Sequence, residues 1–331
     1  MVFNQTLGLL RTGDTLREEW RMPQHAILVA DDIENQTDSG KRRSQAIYGV
    51  ASSLAQQLKT GIDLLYVEDI RTSFRGRVEV SRLEAWHTQH QKKLEEISSC
   101  FPVPVRTLLK SGSPAELILK TLRAKAASEL VVMGTQGRTG IERMIIGSVA
   151  EEVIRHSRRP VMVIGPVAQT NVQDLGARKQ IDMLVATDLS KNSRAAELYA
   201  LSLAKRIGAR VFLFHCLGDI YRAIIRASST VSGWIPLNLD EILSQLRDSS
   251  HQSMNQKIRY FESRGVRCDY KIEEKDDTTS CAVYREGGHG YSLVVMGTHG
   301  RNMMMEAFLG STARETILNS PIPVIIVHSG R

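Results

Sequence analysis

The sequence predicts an α/β protein of two tandem domains, each a five-stranded parallel sheet with helices on both faces. Three observations predict it: an internal repeat, short apolar runs alternating with helical periodicity, and a glycine pattern recurring in both copies. The repeat is read first, because whole-domain duplication sets the architecture before any element is assigned. LVVMGTQGR at 130–138 returns as LVVMGTHGR at 293–301. At that constant offset, residues 129–164 and 292–327 share 16 identities in 36 gapless positions, where chance gives roughly two. HAILVADD at 25–32 matches IDMLVATD at 181–188 at a slightly shorter offset, so the second copy gains a few residues later on.

The length of 331 residues suits two domains. The division is an N-terminal extension at 1–22, domains at 23–166 and 180–331, and a linker at 167–179 containing the polar stretch AQTNVQDLGARK. Hydrophobic content of 42% suffices for a packed core, and 5% aromatics make that core mainly aliphatic. No apolar run is long enough to span a membrane, and the N-terminus lacks the basic start and apolar run of a secretory signal. Four cysteines without CxxC spacing (Cys100, Cys216, Cys268 and Cys281) suit reduced thiols and a cytoplasmic location. A net charge of +7 permits anionic partners without requiring them.

In the first copy, Ala26–Ala30 reads as a strand ending on an acidic pair. Ile47, Val50, Ala51, Leu54 and Leu58 follow at helical spacing, with Gly61 as the stop. Leu64–Val67 is the second strand, Ser81–Ser98 a long polar helix, and Val103–Leu109 the third strand. Ser113, Pro114 and Glu116 read as N-cap, first helical position and capping-box partner. Leu130–Met133, a glycine loop, the helix Ser148–His156 and the strand Val161–Ile164 complete the copy. Such alternation predicts a parallel sheet covered on both faces, with ligands beyond the carboxyl ends of its strands.

The chemistry-bearing pattern is Gly134-x2-Gly137-x9-Gly147-Ser148, repeated as Gly297-x2-Gly300-x9-Gly310-Ser311. Glycines let the backbone turn and approach a ligand closely. A helix opening at Gly147-Ser148 would aim unpaired N–H groups and its positive dipole end at an anion. Arg138 and Arg301 stand where they could screen phosphate charge. A turn with Ser148 as a simple N-cap is the competing reading. The pattern is neither a P-loop nor GxGxxG.

The pattern G-x2-G-x9-G-S after a V-V-M strand, with VATDLSKNSRAAELYALSLAKRIGARVFLFHC at 185–216, resembles the universal stress protein family, and two copies resemble its tandem members. The resemblance implies a Rossmann-like fold of the adenine-nucleotide α-hydrolase type. It also implies that the last strands of the two copies pair, making an internal pseudo-dimer. It implies a bound ATP, with AMP or ADP as alternatives and Mg as companion. Asp32 and Asp188 would hold the adenosine part, and Ile62 and Val211 would pack on adenine. Met133-Gly134 and Met296-Gly297 would wall the ribose and base. Gly137, Gly147, Ser148 and Val149 would take the phosphates in one copy, and Gly300, Gly310, Ser311 and Thr312 in the other.

Both copies depart from the family pattern. Asp31-Asp32-Ile33-Glu34 brings extra carboxylates that would oppose a polyanion, and Asp276-Asp277-Thr278-Thr279 replaces the Gly-Ser-Pro-Ala helix start. His87 and His90 lie three apart, a spacing that can clamp a metal, yet an exposed polar helix is the favoured reading. Lys41-Arg42-Arg43 and Arg155–Arg159 read as solvated basic runs without the aromatic stripe of a nucleic-acid surface. Residues 219–237 read as a lid or partner patch, with packing on their own domain preferred. No Ser-His-Asp spacing or metal triad supports catalysis. The expected function is a nucleotide-dependent stress-response switch or partner-binding module, with unknown protein partners and room for a further homodimer. A slow ATPase or phosphotransferase, and a scaffold without nucleotide, are the rivals.

Overall fold

The computed structural model describes residues 26–69, 80–124, 128–135, 145–168, 180–230, 239–274, 278–299 and 309–329. The first half runs β1 (Ile27–Ala30), α1 (Asp38–Leu58), β2 (Ile62–Glu68), α2 (Val80–Ser98), β3 (Val105–Ser111), α3 (Pro114–Arg123), β4 (Leu130–Gly134), α4 (Ser148–His156) and β5 (Val161–Ile164). The second runs β6 (Asp182–Ala186), α5 (Arg194–Ile207), β7 (Arg210–Cys216), α6 (Gly218–Thr230), α7 (Leu239–Glu262), β8 (Cys268–Glu273), α8 (Thr279–Gly287), β9 (Leu293–Gly297), α9 (Ser311–Asn319) and β10 (Val324–Val327).

Among the described residues, ten strands form one sheet in the order β3-β2-β1-β4-β5-β10-β9-β6-β7-β8. Within each half the pairing is parallel, and β5 meets β10 antiparallel through Val163↔Val324, Met162↔Ile325 and Val161↔Ile326. The last strands of the two copies thus pair within one chain, hiding two edges that would otherwise template association. Strands β1, β5 and β10 are buried at every position, as expected where helices cover both faces.

Strand alternation sends side chains to two cores. Ile27, Val29, Leu64 and Tyr66 pack with α1, α2, α5 and α7, while Leu28, Leu65, Val67 and Met133 pack with α3, α4, α8 and α9. The outer strand β3 carries Arg106, which holds Asp63 on its neighbour through two 2.8 Å bonds at a directly opposed position.

Three local expectations change. Helix α1 stops at Lys59, not Gly61: Lys59 takes the left-handed conformation (φ 52°) and its N–H reaches the Ala55 and Gln56 carbonyls. Ser113 is the N-cap of α3 but makes no side-chain cap bond, so the capping box is not closed and Pro114 marks the start by its fixed φ. In the second half Thr278 caps α8 by accepting from the Cys281 N–H, so losing the Ser-Pro pair leaves the helix start intact.

Candidate functional site

In each half β1 or β6 has neighbours reached in opposite chain directions, and the gap beside β4 or β9 is the switch point where such sheets leave a crevice. A cavity lies at each. The first is about 370 Å³ and the second about 440 Å³, both within the range of small-ligand sites.

The first cavity is lined by Asp31 and Asp32 after β1, Leu65–Val67 on β2, Pro114 and Ile118 on α3, Met133-Gly134-Thr135 after β4, and Gly147–Ala150 at the start of α4. The second repeats this with Thr187 and Asp188, Phe214–Cys216, Thr279 and Val283 on α8, Met296–His299, and Gly310–Ala313 at the start of α9. In both, apolar walls face a helix start whose cap residue, Gly147 or Gly310, supplies no side-chain oxygen. Ser148 therefore sits inside the helix and is not its cap. Among the described residues no side chain caps the first N–H groups of α4 and α9, which open at the cavities. Gly147 N–H binds the Thr135 carbonyl at 2.6 Å, and Gly310 N–H the Thr298 carbonyl at 3.0 Å. A Cβ at Gly310 would stand 2.8 Å from that carbonyl, so glycine there is fixed by backbone approach.

Most expected contact residues converge: Asp32, Met133, Gly134, Gly147, Ser148 and Val149 line one cavity, and Asp188, Met296, Gly297, Gly310, Ser311 and Thr312 the other. Gly137, Arg138, Gly300 and Arg301 lie outside the described residues. Ile62 and Val211 are not at the cavities. They are buried at the opposite end of the sheet, and Val67 stands roughly 16 Å further along the strand at about 3.3 Å per residue. The strand's carboxyl end, Leu65 and Val67 or Phe214 and Cys216, forms the wall instead. Alternation counted back from the strand's end would have found those positions.

The polar floor differs between the halves. Arg43, read as part of a solvated basic run, is 3% exposed; Lys41 and Arg42 are exposed. The Arg43 guanidinium lies 3.1 Å from the Asp31 carboxylate and donates to the Asp32 carbonyl at 3.0 Å. Ser44 and Tyr48 also donate to Asp31, at 2.5 and 2.8 Å. Burial, and then the Asp31 carboxylate, push the Tyr48 hydroxyl pKa far up, so it remains a donor. Asp31 is thereby neutralised. Glu34 faces α2, accepting from Trp86 Nε1 at 3.2 Å with His90 Nε2 at 2.9 Å, and the extra carboxylates do not crowd the cavity as a block. In the second half Thr187 donates to Glu197 at 2.6 Å, and Lys257 donates to the same carboxylate at 2.6 Å.

Among the described residues, two that line the cavities, Thr135 and Asp188, each hold a buried side-chain oxygen without a hydrogen-bond partner. Thr135 is 1% exposed and its Oγ1 makes no hydrogen bond. Asp188 accepts from Ser190 N and Oγ through Oδ1, at 3.0 and 2.6 Å, while its buried Oδ2 accepts nothing. Such groups are costly unless a ligand or water satisfies them. Burial raises the Cys216 thiol above its usual pKa, which makes it a wall and a poor nucleophile.

His90 is buried, contrary to the exposed-helix reading. It bridges Glu34 and the Glu68 carboxylate, at 2.9 and 2.8 Å, while the exposed His87 touches Glu68 at 3.1 Å. Among the described residues no group of three or more His, Cys, Asp or Glu is arranged to hold a metal ion. In the 219–237 segment, Asp219 and Ile220 on α6 line the second cavity, and Asp219 is tied to Thr279 N–H at 3.1 Å. The segment thus begins packed on its own half; 231–238 lie outside the described residues. All four cysteines are free, and no described helix is long and apolar enough to cross a membrane.

Comparison with known proteins agrees with this architecture. The model of the universal stress protein family matches residues 25–165 and 182–328. A putative universal stress protein of Staphylococcus haemolyticus is 40% identical over 143 residues, covering 42% of this chain and 82% of the relative. One from Mycobacterium tuberculosis is 26% identical over 233 residues, covering 69% and 67%. The match to a Methanocaldococcus jannaschii member, 41% identical over 73 residues, covers 22% of this chain and 42% of that relative. In three dimensions the chain is similar to a universal stress protein from Archaeoglobus fulgidus, with a TM-score of 0.62 at 18% identity over 93% of this chain and 98% of the other. The chain belongs to the universal stress protein family, as a tandem two-domain member.

Proposed function

We propose that the protein binds adenine nucleotide, ATP before ADP or AMP, in both switch-point cavities and acts as a nucleotide-dependent stress-response switch or partner-binding module. The observation that carries this reading is that Asp188 lines a cavity together with the start of a helix that no side chain caps. A nucleotide suits both ends: ribose hydroxyls or an exocyclic amine donate to the carboxylate, and phosphate accepts from helix N–H groups. Between them, Phe214, Ile220, Val283 and Met296 offer apolar surface for a flat base. In the first half Asp32 lines the cavity at the corresponding position. Magnesium would come with the triphosphate, held largely by phosphate and water.

Calorimetry of the full chain with MgATP tests this. Two sites are expected, and Asp188→Ala should weaken one at least tenfold, the loss of about one charge-assisted hydrogen bond. No heat of binding at millimolar ATP or AMP would overturn the reading. Turnover above about 1 s⁻¹ would favour an ATPase or phosphotransferase instead.

A further inference from the structure

The two halves meet about a pseudo-twofold axis whose position follows from the register. Met162 and Ile325 occupy equivalent places in the two copies, and they lie directly opposite each other in the β5–β10 pair. In the helix layer above, Glu151 of α4 and Arg314 of α9 are likewise equivalent, and they bind each other at 2.5 Å. Equivalent residues that touch sit on the axis. A pair of like halves would bring two glutamates together there, or two arginines.

A second charge pair breaks the symmetry away from the axis. Arg206 of α5 donates at 2.6 Å to Glu129, whose side chain is wholly buried. The equivalent residues on the other side are Gln57 and Ser292, which carry no charge. Two first-copy halves would bury Glu129 twice against Gln57. Two second-copy halves would set Arg206 against Ser292. A third asymmetry lies at the strand ends. The Ile317 carbonyl approaches Gly165 so closely that a Cβ would collide with it, whereas at the equivalent place His328 bonds to the Ile154 carbonyl.

We propose that this seam is a charge-keyed interface that accepts a first-copy half only against a second-copy half. Its partner is the unlike half, from the same chain or, by exchange, from a second copy of this chain. A homodimer of like halves across β5 or β10 is selected against. Repulsion on the axis acts against either like pair, and the loss of a partner for buried Glu129 acts further against two first-copy halves.

The test uses the full chain and does not depend on nucleotide binding. Glu151→Arg and Arg314→Glu should each lower the folding equilibrium constant roughly tenfold, by losing the pair and creating a like pair. The double variant, with the pair reversed, should recover most of that loss. If the reversals fold poorly, Glu151→Gln, Arg314→Gln and their double close the same cycle. A protease site inserted within 167–179, cut after folding, should leave only unlike pairs by native mass spectrometry. Single variants as stable as the parent, a double variant no better than the weaker single, or like pairs at their statistical share would each overturn the proposal.

Discussion

The two halves solve one problem, the buried carboxyl end of the first strand, with different residues. In register, Asp31 stands where the second half has Thr187, Arg43 where it has Asn192, and Tyr48 where it has Glu197. The first half puts its carboxylate just after the strand and its cation on α1. The second puts its carboxylate on α5 and takes its cation, Lys257, from α7. Each closes a set of one buried carboxylate, one cation and hydroxyl donors. The fold requires that this strand end be neutral and hydrogen-bonded; it does not prescribe which element supplies which charge. The cavities inherit the difference. A Cβ at Gly134 would stand 2.7 Å from Arg43 Cδ, so the Arg43 stem lies across that glycine. At Gly297 the nearest atom would be 3.5 Å away.

Exchanging residues between the halves is the strongest way to break this comparison. Arg43→Asn installs the second half's residue, removes the cation from Asp31, and should cost about 3–5 kcal/mol in urea unfolding. Asp31→Thr in the same chain removes the stranded carboxylate and should recover at least half of that loss. If Arg43→Asn alone costs less than about 1 kcal/mol, Ser44 and Tyr48 suffice for Asp31, and the two arrangements are not alternatives.

That exchange also marks what could be read from the sequence. The strands were legible because parallel strands covered on both faces must be continuous apolar runs, as in LVVMG, and the duplicated glycine pattern located both helix starts. Arg43 was not, because a basic triplet reads as a solvated face until Asp31 is placed beneath it. His90 was hidden in the same way: Glu34 and Glu68 lie 56 and 22 residues away, and only the sheet brings them to one ring. Ile62 and Val211 open their strands while the cavities lie at the strand ends, and an apolar residue at a strand's start and one at its end look alike in sequence.

The outer helices extend the comparison. Helix α2 is tied to the strand end by His90 between Glu34 and Glu68, whereas α7 is tied by Lys257 on Glu197. Replacing His90 by Leu removes the donor between two carboxylates and should cost about 2–3 kcal/mol at neutral pH. Acid should weaken the same contact. Burial would raise the Glu68 pKa, but hydrogen bonds from His90, His87 and Ser111 prevail and hold it below the usual carboxylate value. A carboxyl that is lower in the folded than the unfolded state stabilises the fold above about pH 4.5, and that contribution is lost as pH falls through the folded value. Stability between pH 5 and 3 should therefore fall less steeply in His90→Leu than in the parent. Parallel pH profiles would show that His90 does not set the Glu68 pKa.

The smallest expected effect lies at one equivalent pair of helix ends. Lys59 and Gly208 both close the first helix of their half in the left-handed conformation, at φ 52° and 66°. A lysine there sets its Cβ against the backbone at a cost of roughly 1–2 kcal/mol, while glycine carries no such strain. Glycine also has more freedom to lose on folding, which offsets part of the gain. Lys59→Gly should therefore stabilise the chain by about 0.5–1 kcal/mol, and Gly208→Lys should destabilise it by a similar amount, both read from urea midpoints at unchanged slope. The Lys59 side chain is exposed, so little packing is lost to mask the backbone term. Equal and opposite shifts would make the two helix ends interchangeable. No gain from Lys59→Gly would mean that the Lys59 side chain contributes as much as its strained backbone costs.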